Sequence, residues 1–374
     1  MAISLFIAGD VVPNSIRQEV FTSKKEQIFG EMEPYIKESD FSIVNLEAPI
    51  IKDKPTPIKK SGPCLGIATS TIGVLKKTGV GVLTLANNHF FDHGQKGVEN
   101  TINECKRLNI STVGGGATYS QARKPLLLER KGKRIAIINA CEHEFSIADN
   151  EHGGSNPLDL INMQEDIASV RDKTNYVVLI LHGGIEHYHY PTPRMKRWFH
   201  HFIDLGADTV INHHQHCING YEIYQGKPIF YGLGNFYFPW GSARPDSWSY
   251  GYAVQLYLDN QINFRLIPYK QTIESITLRD RTLFENEISL FNMPIADDFL
   301  LQQKFDEFVM NREHIIKTEF LPTILKNRFL VALAYRGYLG KLYTKKNVIR
   351  LKNKLMCESH LETIQRLMTI LQRP

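Results

Sequence analysis

The chain has 374 residues, 43% of them hydrophobic and 22% charged, a balance that excludes a disordered or fibrous protein and supplies apolar surface for a large core. No apolar run is long enough to span a membrane, and Met1 leads straight into a strand-like run without the basic start of a signal peptide, so a soluble, cytoplasmic protein with no transmembrane segment is expected. The net charge of +5 is uneven: from Lys317 onward twelve Lys and Arg face three acids, which leaves −4 for the first 316 residues.

Ile3-Ser4-Leu5-Phe6-Ile7-Ala8 is a strand that breaks at Gly9-Asp10. Residues 18–39 carry a helical pattern, and Phe41-Ser42-Ile43-Val44 is a second strand running out at Asn45-Leu46-Glu47. The proline- and lysine-rich stretch 52–66 is a loop that could bound a cleft. A short helix over 69–78 precedes the buried strand 79–86, which ends in Asn87-Asn88-His89-Phe90-Phe91-Asp92. After a helix over 97–108, the strand 110–113 leads to Gly114-Gly115-Gly116, a tight turn or an anion cradle. Lys131-Gly132-Lys133 joins two strands as a hairpin.

The strand 176–181 ends at His182-Gly183-Gly184, and the strand 208–212 ends at His213-His214-Gln215-His216, with helices over 162–174 and 194–205 before and between them. Eight of the chain's fourteen histidines fall between Tyr176 and Phe236. A hairpin over 223–231, ending at Gly232-Leu233-Gly234-Asn235-Phe236, and strands over 252–258 and 262–268 close this region. Beyond about residue 285 the pattern turns helical and basic; Phe299, Leu300, Phe305, Phe308 and Val309, then Ile324, Leu325, Phe329, Leu330 and Leu333, recur at helical spacing. The expected division is 1–285, an α/β domain, and 286–374, a basic helical appendage. The basic face is either solvated or meets an anionic surface: a polyanionic glycan, an acidic partner or a membrane leaflet, the last of which would place the protein at the membrane periphery.

Five cysteines, at 64, 105, 141, 217 and 357, show no C-x-x-C spacing, so neither a disulfide framework nor a cysteine zinc site is indicated. The strand ends instead collect Asp10, Glu47, Asn88-His89, His182 and His214-x-His216. Two carboxylates, an amide and imidazoles are the ligand menu of a divalent metal pair. Singly, each has a plainer role: Asp10 and Asn88 as helix caps, Glu47 in a surface pair, His182 as a core histidine.

Ile7-Ala8-Gly9-Asp10, Asn45-Leu46-Glu47, Asn87-Asn88-His89-x-x-Asp92, Leu181-His182-Gly183-Gly184-x-Glu186, His214-x-His216 and Leu233-Gly234-Asn235-Phe236 together resemble the CapA family, the capsule and poly-γ-glutamate synthesis proteins on the calcineurin-like metallophosphoesterase fold. The resemblance runs over residues 3–268 and implies an α/β fold, a four-layer αββα sandwich, with a dinuclear Mn, Fe or Zn site at one sheet edge. It implies Asp10 and His216 on one metal, Asn88, His182 and His214 on the other, and Glu47 between them. His89 would then be catalytic, with Asp92 orienting it or capping a helix, and Glu186, His187 and Asn235 would meet substrate. Where the wider superfamily has Asp-x-His, this chain has Asp10-Val11-Val12, which predicts a weaker first metal.

The function implied is a metal-dependent phosphoesterase-type hydrolase in capsule, exopolysaccharide or poly-γ-glutamate biosynthesis. Its substrate would be a phosphoester or an anionic polymer, its partners polymer-synthesis proteins, and no nucleic acid is expected. Two other readings stay open: a non-catalytic accessory subunit of such an assembly, and a metal-dependent amide hydrolase acting on a γ-glutamyl polymer.

Overall fold

The computed structural model describes residues 2–13, 18–23, 28–239, 244–312 and 345–371. Strands form where the apolar, β-branched runs were read. In the first sheet β1 (Ile3–Val11), β2 (Phe41–Leu46), β3 (Val82–Thr84) and β4 (Ser111–Val113) are parallel neighbours. Two residues each of β5 (Gly115–Gly116) and β8 (Gly154–Ser155) pair as a small ribbon.

The second sheet has the order β11-β12-β10-β9-β7-β6, built from the hairpin β6 (Leu126–Arg130) and β7 (Lys133–Cys141), then β9 (Tyr176–His182), β10 (Thr209–His213), and the hairpin β11 (Tyr221–Tyr224) and β12 (Lys227–Phe230). The chain then returns to the first sheet. β13 (Asn235–Tyr237) lies parallel to β1, and β14 (Tyr250–Leu258), β15 (Ile262–Gln271) and β16 (Ile276–Leu278) extend it antiparallel.

Alternation along β1 decides which residues face which layer. Ile3, Leu5 and Ile7 pack with Ile43, Val82, Ile137, Val178, Ile180 and Ile211 between the two sheets, while Phe6 and Ala8 face outward with Val44 and Leu83. Helices α1 (Gln18–Ser23), α2 (Glu33–Glu38), α3 (Ser70–Thr78) and α4 (Gly94–Arg107) follow on the first sheet's side, contributing Phe21, Ile36, Ile72, Leu75 and Val98 to that outer core. Past the short α5 (Tyr119–Arg123), α6 (Leu160–Arg171) and α7 (Pro193–Asp204) cover the other sheet through Met163, Ile167, Phe199 and Phe202. The result is the expected four-layer αββα sandwich.

The single helix expected over 18–39 is instead α1, a 3-10 turn at Gly30–Met32, and α2. Gly30 has φ +43°, and a Cβ there would stand 2.6 Å from the Ile276 carbonyl oxygen, so a regular helix cannot run through this contact. The Gly114 turn is a packing feature rather than an open cradle. With φ +81°, it brings the backbone so close that a Cβ would meet Asn139 Oδ1 at 1.9 Å.

Among the described residues four further helices follow: α8 (Arg281–Ala296), α9 (Asp298–Asn311), α10 (Lys345–Met356) and α11 (Glu358–Leu371). The boundary expected at residue 285 falls inside α8, whose Phe284 and Ile288 join the inter-sheet core. Phe305 and Val309 of α9 and Ile364 and Leu367 of α11 bury together with Ile185 and Tyr188, on the loop after β9. Ile324, Leu325, Phe329, Leu330 and Leu333 lie outside the described residues. No described helix is long and apolar enough to cross a membrane.

Candidate metal centre

Register brings the polar strand ends together. Asp10 pairs with Asn45 on one side and Asn235 on the other, and His182 is aligned with His213, so the carboxyl ends of the parallel strands from both sheets open on one edge. Gly9 makes the β13 approach possible. A Cβ there would sit 1.8 Å from the Gly234 carbonyl oxygen.

At that edge two groups of side chains share one carboxylate. Asp10, Glu47 and His216 form one, and Glu47, His182 and His214 the other, each with its candidate ligand atoms within 4.8 Å of one another. Glu47 Oε1 lies 3.6 Å from His182 Nε2 and 3.8 Å from His216 Nε2. His214 Nδ1 and Asn88 Oδ1 each lie 3.1 Å from His182 Nε2, so Asn88 belongs to the second group. All six residues are buried.

Glu47 is the centre of this arrangement. It has no exposed surface, and among the described residues no donor meets either carboxylate oxygen within hydrogen-bond geometry. Burial and the neighbouring Asp10 and Glu186 charges push its carboxyl well above the usual range. A buried carboxylate left in this state is costly unless a cation meets it. Burial also pushes His182 well below the ordinary imidazole value, with His214 adding to the shift, which leaves a neutral ring with a lone pair to give.

Behind the ligand atoms stands a layer of amides. Asn45 Nδ2 donates to Asp10 Oδ1 at 2.7 Å and reaches His182 Nδ1 at 3.4 Å, while Asn45 Oδ1 accepts from Thr84 and Asn87. Asn235 Oδ1 lies 2.8 Å from His216 Nδ1, and its Nδ2 donates to the Trp248 carbonyl at 3.1 Å. Fixing one ring nitrogen this way turns the other toward the metal position. Asn235, expected at the substrate, therefore sits fully buried behind His216. His187, His214 and His216 all have positive φ, at +63°, +96° and +56°, a strain of about 1–3 kcal/mol each that the packed sheets must hold.

A second constellation abuts the first. His89 Nδ1 lies 2.6 Å from Asp92 Oδ2, which also accepts from the Leu65 backbone N–H at 2.6 Å. Lys60 Nζ forms an ion pair with Asp92 Oδ1 and lies 3.1 Å from His89 Nδ1, its side chain only 3% exposed. Burial and the Lys60 charge push His89 below its ordinary value, against the pull of Asp92. Asp92 does not cap α4, whose preceding residue is His93 without a side-chain cap.

Glu186 is about half exposed at the mouth. Burial acts to raise its carboxyl, but His216, His214, His187 and His89 together hold it low. His187 borders His216 and Trp248, with Arg244 Nη1 3.2 Å from its Nε2, and burial lowers it to about 4. Of the remaining histidines in the rich stretch, His189 stacks on Phe291 and His200 pairs with Glu222. His201 is exposed on α7, and His213 is buried with neither ring nitrogen hydrogen-bonded to a described residue.

Lys60 and Asn45 were not singled out from the sequence. Asn45 carried a usable signal, a polar residue on a buried strand two positions before Glu47; Lys60 carried none, because a loop has no periodicity to read.

Residues 4–239 match the model of the family described as bacterial capsule synthesis protein PGA_cap. The chain belongs to this family. Within reach of it, the PGA biosynthesis protein CapA of Bacillus subtilis (strain 168) is 30% identical over 249 residues, which cover 65% of each chain. The capsule biosynthesis protein CapA of Bacillus anthracis is 28% identical over 251 residues, 65% of this chain and 61% of that one. A Mycobacterium tuberculosis (strain ATCC 25618 / H37Rv) relative named "Probable polyglutamine synthesis accessory protein" is 28% identical over 211 residues, 53% and 55% of the two chains. The chain thus spans less than two thirds of the length of the relatives it matches. The matched stretch 4–239 holds every member of the two carboxylate–imidazole groups and the Lys60–Asp92–His89 set, and it ends before α8.

Proposed function

We propose that this PGA_cap protein is a metal-dependent hydrolase of phosphoesterase type that serves the making or remodelling of an anionic capsule or poly-γ-glutamate polymer. The observation that carries the reading is Glu47, a fully buried carboxylate with two unpartnered oxygens between two sets of metal-type donors. The donor chemistry fits a pair of borderline divalent ions such as Mn, Fe or Zn. Asp10, Glu47 and His216 would hold one, and Glu47, Asn88, His182 and His214 the other. Val12 is buried in the apolar core where the superfamily has a further imidazole, so the first site has three protein donors and is the weaker.

When bound, such a pair supplies positive charge to a substrate oxygen and lowers the pKa of water. The chain's own residues do the rest. Asp92 accepts from His89 Nδ1, which fixes the ring and leaves Nε2 as the atom that exchanges a proton. Because burial and Lys60 lower the His89 pKa, its protonated form is a stronger acid than free imidazolium, suited to a leaving oxygen. Asn235 and Asn45 position His216 and Asp10, and Glu186 and His187 border the entrance. Substitution at Asn235 should accordingly act through metal retention rather than through substrate affinity.

Metal analysis after Mn²⁺ loading, with turnover of an aryl phosphodiester, tests the reading. It expects at least one metal per chain, and His89→Ala that keeps the metal but loses about 10²–10⁴-fold in kcat. Full loading with no turnover of that ester or of a γ-glutamyl oligomer would favour the accessory-subunit reading, which the name of the mycobacterial relative supports.

A further inference from the structure

The cleft outside the metal centre is closed by a part of the chain that lies beyond the family match. It has a volume of about 270 Å³. Glu186 and His214 stand on one wall; Phe308 and Arg312 from the end of α9, Lys354 of α10 and His360 of α11 stand on the other. Three of those last four are cationic or become so on protonation.

Their placement is anchored. Arg194, at the start of α7, bonds Glu362 Oε2 at 3.1 Å and Ser359 Oγ at 2.9 Å and pairs with Glu142, while Arg366 of α11 pairs with Asp306 of α9. His143 Nδ1 lies 2.5 Å from Glu358 Oε1. These ties hold α9 and α11 against the αββα body at the mouth of the site.

Arg312 is the unexplained member. Its guanidinium lies 4.4 Å from the centre of the Phe308 ring and is half-buried, yet its side chain makes no hydrogen bond or ion pair with any described residue. Burial draws its pKa below the ordinary value, and Glu186 only partly offsets that. The two carboxylates in the cleft are engaged elsewhere: Glu186 among the imidazoles, and Glu144 3.8 Å from His214 Nε2 and 3.4 Å from Asn353 Nδ2. A half-buried guanidinium with no hydrogen-bond or ion-pair partner among the described residues is open to an incoming carboxylate or phosphate, the partner its fork fits best.

We propose that Arg312 and Lys354, with His360 beside them, form an anion-recognition wall that grips a further carboxylate or phosphate of the substrate while its reacting bond lies over the metal centre. This rests on the hydrolase reading for the orientation of the substrate, but the anion site itself does not need turnover. A second cleft of about 270 Å³, bordered by Lys352 and Asn353, shares Glu144 with the first, so cations of α10 flank a path suited to an extended polyanion. The specificity of the metal site would thus be set by helices outside the family match.

The test is fluorescence anisotropy of a labelled γ-linked glutamate hexamer on the full, Mn²⁺-loaded chain, with tripolyphosphate as competitor. Binding is expected, with Arg312→Ala and Lys354→Ala each weakening it about tenfold, and Arg312→Lys recovering part of the loss. Metal content and Tm should stay at the wild-type value in these variants, and the remote surface change Lys37→Ala should leave binding unaltered. Tighter binding of the hexamer than of tripolyphosphate assigns the wall to carboxylates, the reverse to phosphates. Absence of binding by both probes in the wild type, or variants that bind as well as wild type, would overturn the proposal. A chain that grips the hexamer through Arg312 yet hydrolyses nothing sinks the hydrolase reading alone.

Discussion

The two halves of the site are held in opposite ways. Around His89 the chain answers its own charges: Lys60 meets Asp92, Asp92 meets His89 and the Leu65 N–H, and the set is nearly free of solvent. Around Glu47 it does not, and the carboxylate has only imidazole nitrogens at 3.6 and 3.8 Å and the Asp10 carboxylate nearby. The first half is completed by the fold; on the proposed reading the second is completed by bound metal. Folding free energy from the two cores must therefore hold Glu47, His214 and His216 in place before any ligand repays it.

The sharpest way to break the contrast is to remove one charge from the finished half. Asp92→Ala leaves Lys60 buried without its carboxylate and should cost about 3–5 kcal/mol, read as a fall in the denaturation midpoint. The double variant Lys60→Met/Asp92→Asn should recover most of that loss while still binding metal; if it does not, the pair is not what stabilises this half.

Glu47→Gln is the matching change on the unfinished side and should behave in the opposite sense. Metal affinity is expected to fall by about 100-fold or more, measured by titration with Mn²⁺. Stripped of metal, however, this variant should be no less stable than wild type, because it removes a buried carboxylate with no partner. A lower Tm for the metal-free variant would contradict the picture of Glu47 as an unsatisfied group.

Metal itself should stabilise the wild type, by about 2.7 kcal/mol at a free concentration 100 times its Kd. The gain should vanish in Glu47→Gln and persist in His89→Ala, and calorimetry with and without Mn²⁺ gives both. Asp10→Asn is expected to halve the metal content rather than abolish it, since only the group containing Asp10 and His216 loses a carboxylate.

The smallest expected effect concerns the ties of α11. The Glu358 contact raises the His143 imidazole above its ordinary 6.5, with burial opposing. A raised histidine contributes its full stabilisation below the unfolded value of about 6.5 and loses it as pH climbs through the folded value. The stability difference between wild type and Glu358→Gln, read from Tm, should therefore be largest near pH 5.5 and shrink toward pH 8.5, amounting to about 1 kcal/mol for this part-buried pair. A pH-independent difference would show that the tie is not ionic.

Much of this site was legible because strands announce themselves. Runs such as Tyr176–His182 are apolar and β-branched and then stop at a polar residue, so Asp10, Glu47, Asn88 and His182 stand out at strand ends without any knowledge of what they face. β13 escaped notice as a strand: it has three residues, and its pairing with β1 depends on Gly9 rather than on any pattern of its own. Lys60 was invisible for the same reason that it matters, since its partner lies 32 residues away across a loop.

By itself the sequence determined the layers, because a period of two or 3.6 in apolar residues dictates which face is buried. It also singled out the candidate donors, because carboxylates and imidazoles recur together at the ends of its apolar strands. Only the tertiary structure decided that Asn235 stands buried behind His216, and that Arg312 and Lys354 reach the same mouth. Those are distances between segments far apart in the chain. They are set by register and helix packing, which local residue patterns do not encode.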